Sequence, residues 1–285
     1  MLYICIVSLR IYSIRSQISI WIRGRKMSSD ITSKLFVHEE VESDTGYFSG
    51  YKGPGSIADQ LAKLRKLFPQ IGGVNEELVA SIERSDVKLS TIPKRFPEED
   101  RHFWCIPHWT NFGITYCEAI AKVLEVFGDK IDDVFGDKIY DALDISSDTN
   151  SGHLKQTERK INMINTILLK QDADILIIEA QFGLRHRGRT MRRACVVMGE
   201  DEFGLGIYEI LIMLLLSPER LAYYNDLWID VAGDEWCSKI GRRSNYAPRL
   251  LYDSGDLIHL VITGIAVDDN AAGRNSGTVS AFIMQ

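Results

Sequence analysis

The sequence lacks any stretch that reads as a membrane span. The apolar runs of its first 29 residues are broken by Arg10 and Arg15, and the most apolar segment, residues 205–216, closes at Ser217-Pro218. A spanning helix needs about 20 apolar residues. Paired cysteines are also missing: the five (Cys5, Cys105, Cys117, Cys195, Cys237) are scattered with no CxxC. That excludes a disulfide framework and fits reduced thiols in a cytoplasmic setting. The phosphate-loop signatures GxGxxG and GxxxxGK[ST] do not occur after any strand candidate, and no serine or histidine has partners at a diagnostic spacing, so nucleophilic catalysis has no support. A solenoid is excluded too, because the only exact repeat, Val126–Ile131 recurring as Val134–Ile139, has two short copies.

Acid is absent from the start. Residues 1–29 hold no Asp or Glu but carry Arg10, Arg15, Arg23, Arg25 and Lys26. The charge lies in the wrong place for a secretory signal; an organellar transit segment has this composition. Met27-Ser28-Ser29-Asp30 reads as an ordinary start, and residues 1–26 are expected to be an upstream extension.

What is present is ordinary for a globular chain: 285 residues, 45% hydrophobic, 25% charged, net charge −6. With that net charge, contact with a polyanion has to come from a local basic patch. Residues 1–55 read as a leader, mobile from 27 to 55, and 56–285 as a single globular α/β domain with a helical part (56–150) and an α/β part (151–285). The fold class expected is mixed α+β: a helical amino-terminal half, a central buried strand with a core helix, and an antiparallel carboxyl-terminal β-meander.

Local signals place the elements. Ser56 caps a helix carrying Ile57, Leu61, Leu64 and Phe68, and Asn75 opens a second, making an αα-hairpin. Residues 85–109 mix prolines, bases and aromatic rings (Lys94, Arg95, Phe96, Arg101, His102, Trp104, His108, Trp109), with a strand at 103–106. Such rings more often anchor a core than stack on bases. Cys105, His108 and Cys117 have zinc-like residue types without the paired spacing of a closed site. Thr115 and Glu118 form a capping box for a helix expected to end at Gly128. Residues 144–152 are a polar boundary, 154–170 a helix, 250–252 and 257–263 a hairpin, and 278–283 a last strand.

The chain is organised around residues 174–206. Ile175 to Ala180 is an apolar run typical of a strand buried on both faces. After it come five arginines and a histidine within nine residues: Arg185, His186, Arg187, Arg189, Arg192 and Arg193. Gly183 and Gly188 allow close backbone approach. If Thr190 caps the next helix, Arg192 and Arg193 lie in its positive first turn, which an anion would relieve. Guanidinium forks suit phosphate or carboxylate oxygens. The alternative is an internal salt network, since Glu200, Asp201 and Glu202 follow closely and a turn at Met198-Gly199 returns them to the arginines. Glu209, inside the core helix, requires a partner if buried; the loop arginines are candidates, and a wet helix edge is the other possibility.

Asp230, Asp234 and Glu235, in a strand and glycine turn, are weak candidates for a magnesium or calcium ion. Three functions stay open. The first is a binding protein whose arginine loop takes a phosphorylated ligand or a nucleic-acid backbone. The second is a magnesium-assisted enzyme acting on a phosphorylated substrate. The third is a structural or interaction protein with internally paired arginines.

Overall fold

Seven consecutive residues from Ile175 to Gln181 alternate across a strand, and every one is buried. The structure, a computed structural model, describes residues 39–47, 51–84, 101–135, 140–142, 153–221, 226–237, 247–253, 257–261 and 272–284. Elements are numbered over those residues. The leader up to residue 38, the basic and aromatic residues 94–96, the end of the second repeat copy (136–139) and the polar boundary 144–152 lie outside them.

β1 (His102–Pro107), β4 (Ile175–Gln181), β5 (Glu202–Gly204) and β11 (Ser280–Phe282) form an antiparallel sheet in the order β1-β4-β11-β5. The apolar run of β4 therefore reflects cover on both faces, not a parallel sheet. The tendency of ligands to gather at the carboxyl ends of parallel strands has no bearing on the loop that follows. Two glutamines complete the ladders. Gln60 lies along the outer edge of β1, donating to the Phe103 carbonyl (2.9 Å) and accepting from Cys105 N (2.9 Å). β11 reaches only residues 179–181 of β4, and there Gln171 takes over, bonding both N (2.8 Å) and O (2.7 Å) of Ile177. Buried backbone groups left unpaired would each cost about 1–3 kcal/mol.

The helices start where their caps are. Ser56 and Asp59 form a capping box for α1 (Ile57–Leu67), Asn75 caps α2 (Glu76–Glu83), and Thr115 with Glu118 opens α3 (Tyr116–Phe135). α3 does not stop at Gly128 but continues to Phe135. A glycine inside a helix costs only about 1 kcal/mol relative to alanine, and α3 packs on α6 (Ile207–Leu216). α4 (Glu158–Gln171) is capped by Thr157 and preceded by β3 (Leu154–Gln156), which takes the first residues of the expected helix. α5 (Met191–Val197) is capped by Thr190. All ten residues of α6 are buried, as its nearly all-round apolar sequence predicts.

A second sheet runs β10-β6-β8-β9-β2, from β2 (Tyr140–Ala142), β6 (Trp228–Asp230), β8 (Arg249–Asp253), β9 (Leu257–Val261) and β10 (Ser276–Thr278). Its β6-β8-β9 centre is antiparallel and its outer pairs are parallel. β3 pairs with β7 (Asp234–Trp236). The last strand divides at Val279: β10 belongs to the second sheet and β11 to the first. The described residues from Glu40 onward form one compact unit. Among the described residues no helix is long and apolar enough to cross a membrane.

Candidate anion-binding site

The loop after β4 turns at Gly183, whose φ of +108° suits glycine, and folds into one 3-10 turn, Leu184–His186. A Cβ on Gly183 would lie 2.6 Å from the Gly277 carbonyl oxygen, and one on Gly188 would strike the Val41 carbonyl. Both glycines therefore admit the chain's own backbone.

The inner part of the loop is held by Glu202, whose side chain is wholly buried. It accepts from Arg185 Nε (3.0 and 3.1 Å), His186 Nε2 (2.7 Å) and Ser280 Oγ (2.6 Å). Burial alone would raise its pKa. The bonds from His186, Ser280 and Arg185 outweigh burial and bring it down to about 2. His186, also buried, accepts from Arg189 Nη1 at Nδ1 (3.3 Å), so its proton sits on Nε2. Burial lowers its pKa against the pull of Glu202, and the ring is neutral at pH 7. Of the three acids after the helix only Glu202 returns to the arginines; Glu200 is exposed.

The outer arginines meet an extended segment, residues 40–47. Arg189 Nε (3.2 Å) and Arg193 Nε (2.7 Å) converge on one oxygen of Glu40, Oε1. Arg187 Nη1 donates to the Thr45 carbonyl (3.2 Å), and Val41 N to the Gly188 carbonyl (2.7 Å). Arg192 lies half-buried in the first turn of α5. That turn receives its anion from Glu40, a carboxylate that local sequence gave no reason to place here.

Arg220 was not foreseen either. Its side chain is fully buried, its guanidinium lies 4.2 Å over the Tyr47 ring and 5.4 Å from that of Phe182, and Nη2 donates to the carbonyls of Phe182 (3.1 Å) and Leu227 (2.8 Å). Nε and Nη1 have no hydrogen-bond partner among the described residues.

No family model matches the chain, and searches of curated proteins and of solved structures find no match.

The carboxylates of Asp230, Asp234 and Glu235 do not converge. Asp230 accepts from Arg249 Nε (2.5 Å), Asp234 is buried beside Lys160, and Glu235 is exposed. Among the described residues no group of three His, Cys, Asp or Glu has metal-holding geometry. Cys105 is buried with its thiol pushed up to about 12 by burial. Trp104 is a core anchor, its indole donating to the Ala180 carbonyl (3.3 Å) and its ring edge-on to Phe182.

Glu209 is buried and pairs not with the loop but with Lys160. Lys160 Nζ, itself fully buried, donates to Glu209 Oε2 (2.7 Å), Tyr116 Oη (2.6 Å) and Asp234 Oδ1 (3.2 Å). Asp234 also accepts from Ile207 N (2.7 Å) and Tyr116 Oη (2.9 Å), and Glu209 from Gly206 N (3.0 Å). The quartet caps α6 from inside the core. Burial raises the pKa of Asp234 and pushes Tyr116 well above the ordinary phenol value. A lysine in an amphipathic helix reads as a surface residue, which is why sequence reasoning passed it over.

Proposed function

We propose that the chain binds a phosphorylated small ligand through Arg189 and Arg193, with Arg187 and Arg192 beside them. Arg185 and His186 shape the loop from within and do not contact the ligand. The supporting observation is the convergence of two guanidinium Nε atoms on one oxygen of Glu40, whose side chain is 42% exposed. Two forks meeting at a single oxygen is an arrangement that a phosphate oxygen satisfies equally well. A partly exposed ion pair contributes only about 0–1 kcal/mol, so the internal carboxylate is not a tightly held component.

Calorimetric titration of the full chain with inorganic phosphate and pyrophosphate tests this. Binding is expected to weaken as salt rises, and the R189A/R193A variant to lose about tenfold or more in affinity, the equivalent of one charged hydrogen bond. Unchanged affinity in that variant removes the reading. A second reading, an interaction protein with internally paired arginines, is favoured by the complete satisfaction of Glu202. Under it, no phosphate compound raises the melting temperature, whereas a ligand of the folded state must. Magnesium assistance is not favoured, because Asp230 and Asp234 are already occupied by Arg249 and Lys160.

A further inference from the structure

We propose that residues 40–47 are a displaceable strap, an internal stand-in that the phosphorylated ligand must dislodge. The inference rests on the reading that Arg189 and Arg193 form the anion site, and it adds how that site is regulated.

Three observations carry it. Glu40 supplies the anion to both arginines and is the most exposed member of that triplet, at 42% against 18% for Arg189 and 27% for Arg193. The rest of the strap is held by Tyr47, which packs on the core edge-on to Tyr51, and by scattered polar contacts. These are Val41 N on the Gly188 carbonyl, Arg187 on the Thr45 carbonyl, Thr45 Oγ1 on Asn275 Oδ1 (3.2 Å), Ser43 Oγ on the Arg274 carbonyl, and Leu184 N on Tyr47 Oη (3.3 Å). The backbone contributes the Val41 bond and an isolated antiparallel bridge of Glu40 with Arg189, which does not continue as a sheet ladder. At its far end the Tyr47 ring covers Arg220, a buried guanidinium with no carboxylate among the described residues. Burying a cation without a counter-ion is unfavourable, and the ring offsets this only in part.

The closed strap is thus held at one end by partly exposed ion pairs and one isolated backbone bridge, and at the other by a cation that the Tyr47 ring compensates only in part. An entering phosphate takes the Glu40 position, the strap lifts, and Tyr47 leaves Arg220. Two consequences follow. Apparent affinity is reduced by the fraction of molecules in which the strap is closed, and ligand binding loosens residues 40–47 while most ligands tighten what they touch.

The experiment titrates pyrophosphate into the full-length chain, E40Q and R189A/R193A, and follows amide hydrogen exchange of the wild type with and without pyrophosphate. E40Q keeps the shape of Glu40 and removes its charge. The expected result is binding by E40Q about tenfold tighter than wild type, with faster exchange at the Val41 and Leu184 amides on saturation. If E40Q binds no tighter while R189A/R193A loses binding, or if those amides become more protected, the strap is not a competitor although the site stands. If R189A/R193A binds as well as wild type, or if neither wild type nor E40Q binds, the site reading fails and the strap inference falls with it.

Discussion

Lys160 shows how far one side chain departs from what its neighbours in sequence suggest. Ionised lysine is among the residues least often fully buried, yet this one has no exposed surface, because its ammonium finds Tyr116, Glu209 and Asp234 around it. The energetic role is one of compensation more than of gain. Replacing a buried ionic group with matched apolar residues is often neutral, while removing one partner strands the others. Lys160→Met therefore leaves Glu209 and Asp234 facing each other in the core. It is expected to lower unfolding free energy by about 3–5 kcal/mol in urea denaturation. The triple change K160M/E209Q/D234N, which removes the stranded charges as well, is expected to recover part of that loss. A K160M protein as stable as wild type would mean the quartet does not hold α6. The sequence leaves Glu209 either paired with the arginine loop or on a wet helix edge; its partner comes instead from the first turn of α4, where periodicity predicts only a helix.

At the scale of elements, the loop between β4 and α5 is set by Glu202 and finished by the strap. Its local features were readable in advance: the buried strand before it, the Thr190 cap and the return of Glu202 are all encoded within a short span. Glu40 was not, since it lies 149 residues from Arg189 and a contact of that separation leaves no local pattern. The same holds for Ser280, which joins Glu202 from the last strand. The pH dependence of the loop follows from its hub. Glu202 has a folded pKa depressed from 4.5 to about 2. Its contribution is complete above the ordinary carboxylate range and is lost as pH falls from about 4.5 towards 2, on the order of 3 kcal/mol in all. His186 acts in the same direction: its lowered pKa means the unfolded chain takes up a proton first as pH drops below 6.5. Acid unfolding monitored by circular dichroism should therefore begin at higher pH in wild type than hydrophobic burial alone implies. Glu202→Gln should be less stable at pH 7 and show a flatter stability curve between about pH 5 and pH 2, the window the two carboxylate values define. A variant whose curve runs parallel to wild type through that range would remove Glu202 from the account.

For the whole molecule, the division between a helical first half and an α/β second half describes the order of elements along the chain but not their packing. β1, from the first half, lies against β4 from the second over six residue pairs, and α1 and α3 both pack on α6. The α+β class was legible because caps and apolar periods are local; the pairing was not, because β4 carries no mark of which strands flank it. The two larger sheets are joined by continuous chain at Val279, whose N–H donates to the Asp230 carbonyl (3.1 Å) in the second sheet and whose carbonyl accepts from Leu205 N (3.3 Å) beside the first. A strand that serves both sheets couples their stabilities: the second sheet cannot release β10 without pulling on β11. Unfolding of residues 40–285 is accordingly expected to be one cooperative transition, with tryptophan fluorescence, which includes Trp104 of the first sheet and Trp228 of the second, and far-ultraviolet circular dichroism giving the same midpoint. Val279→Pro removes the N–H at that joint and should separate the two signals or lower both midpoints together by several degrees. Two resolved transitions in the unaltered chain would show that the second sheet unfolds by itself and that the shared strand transmits nothing.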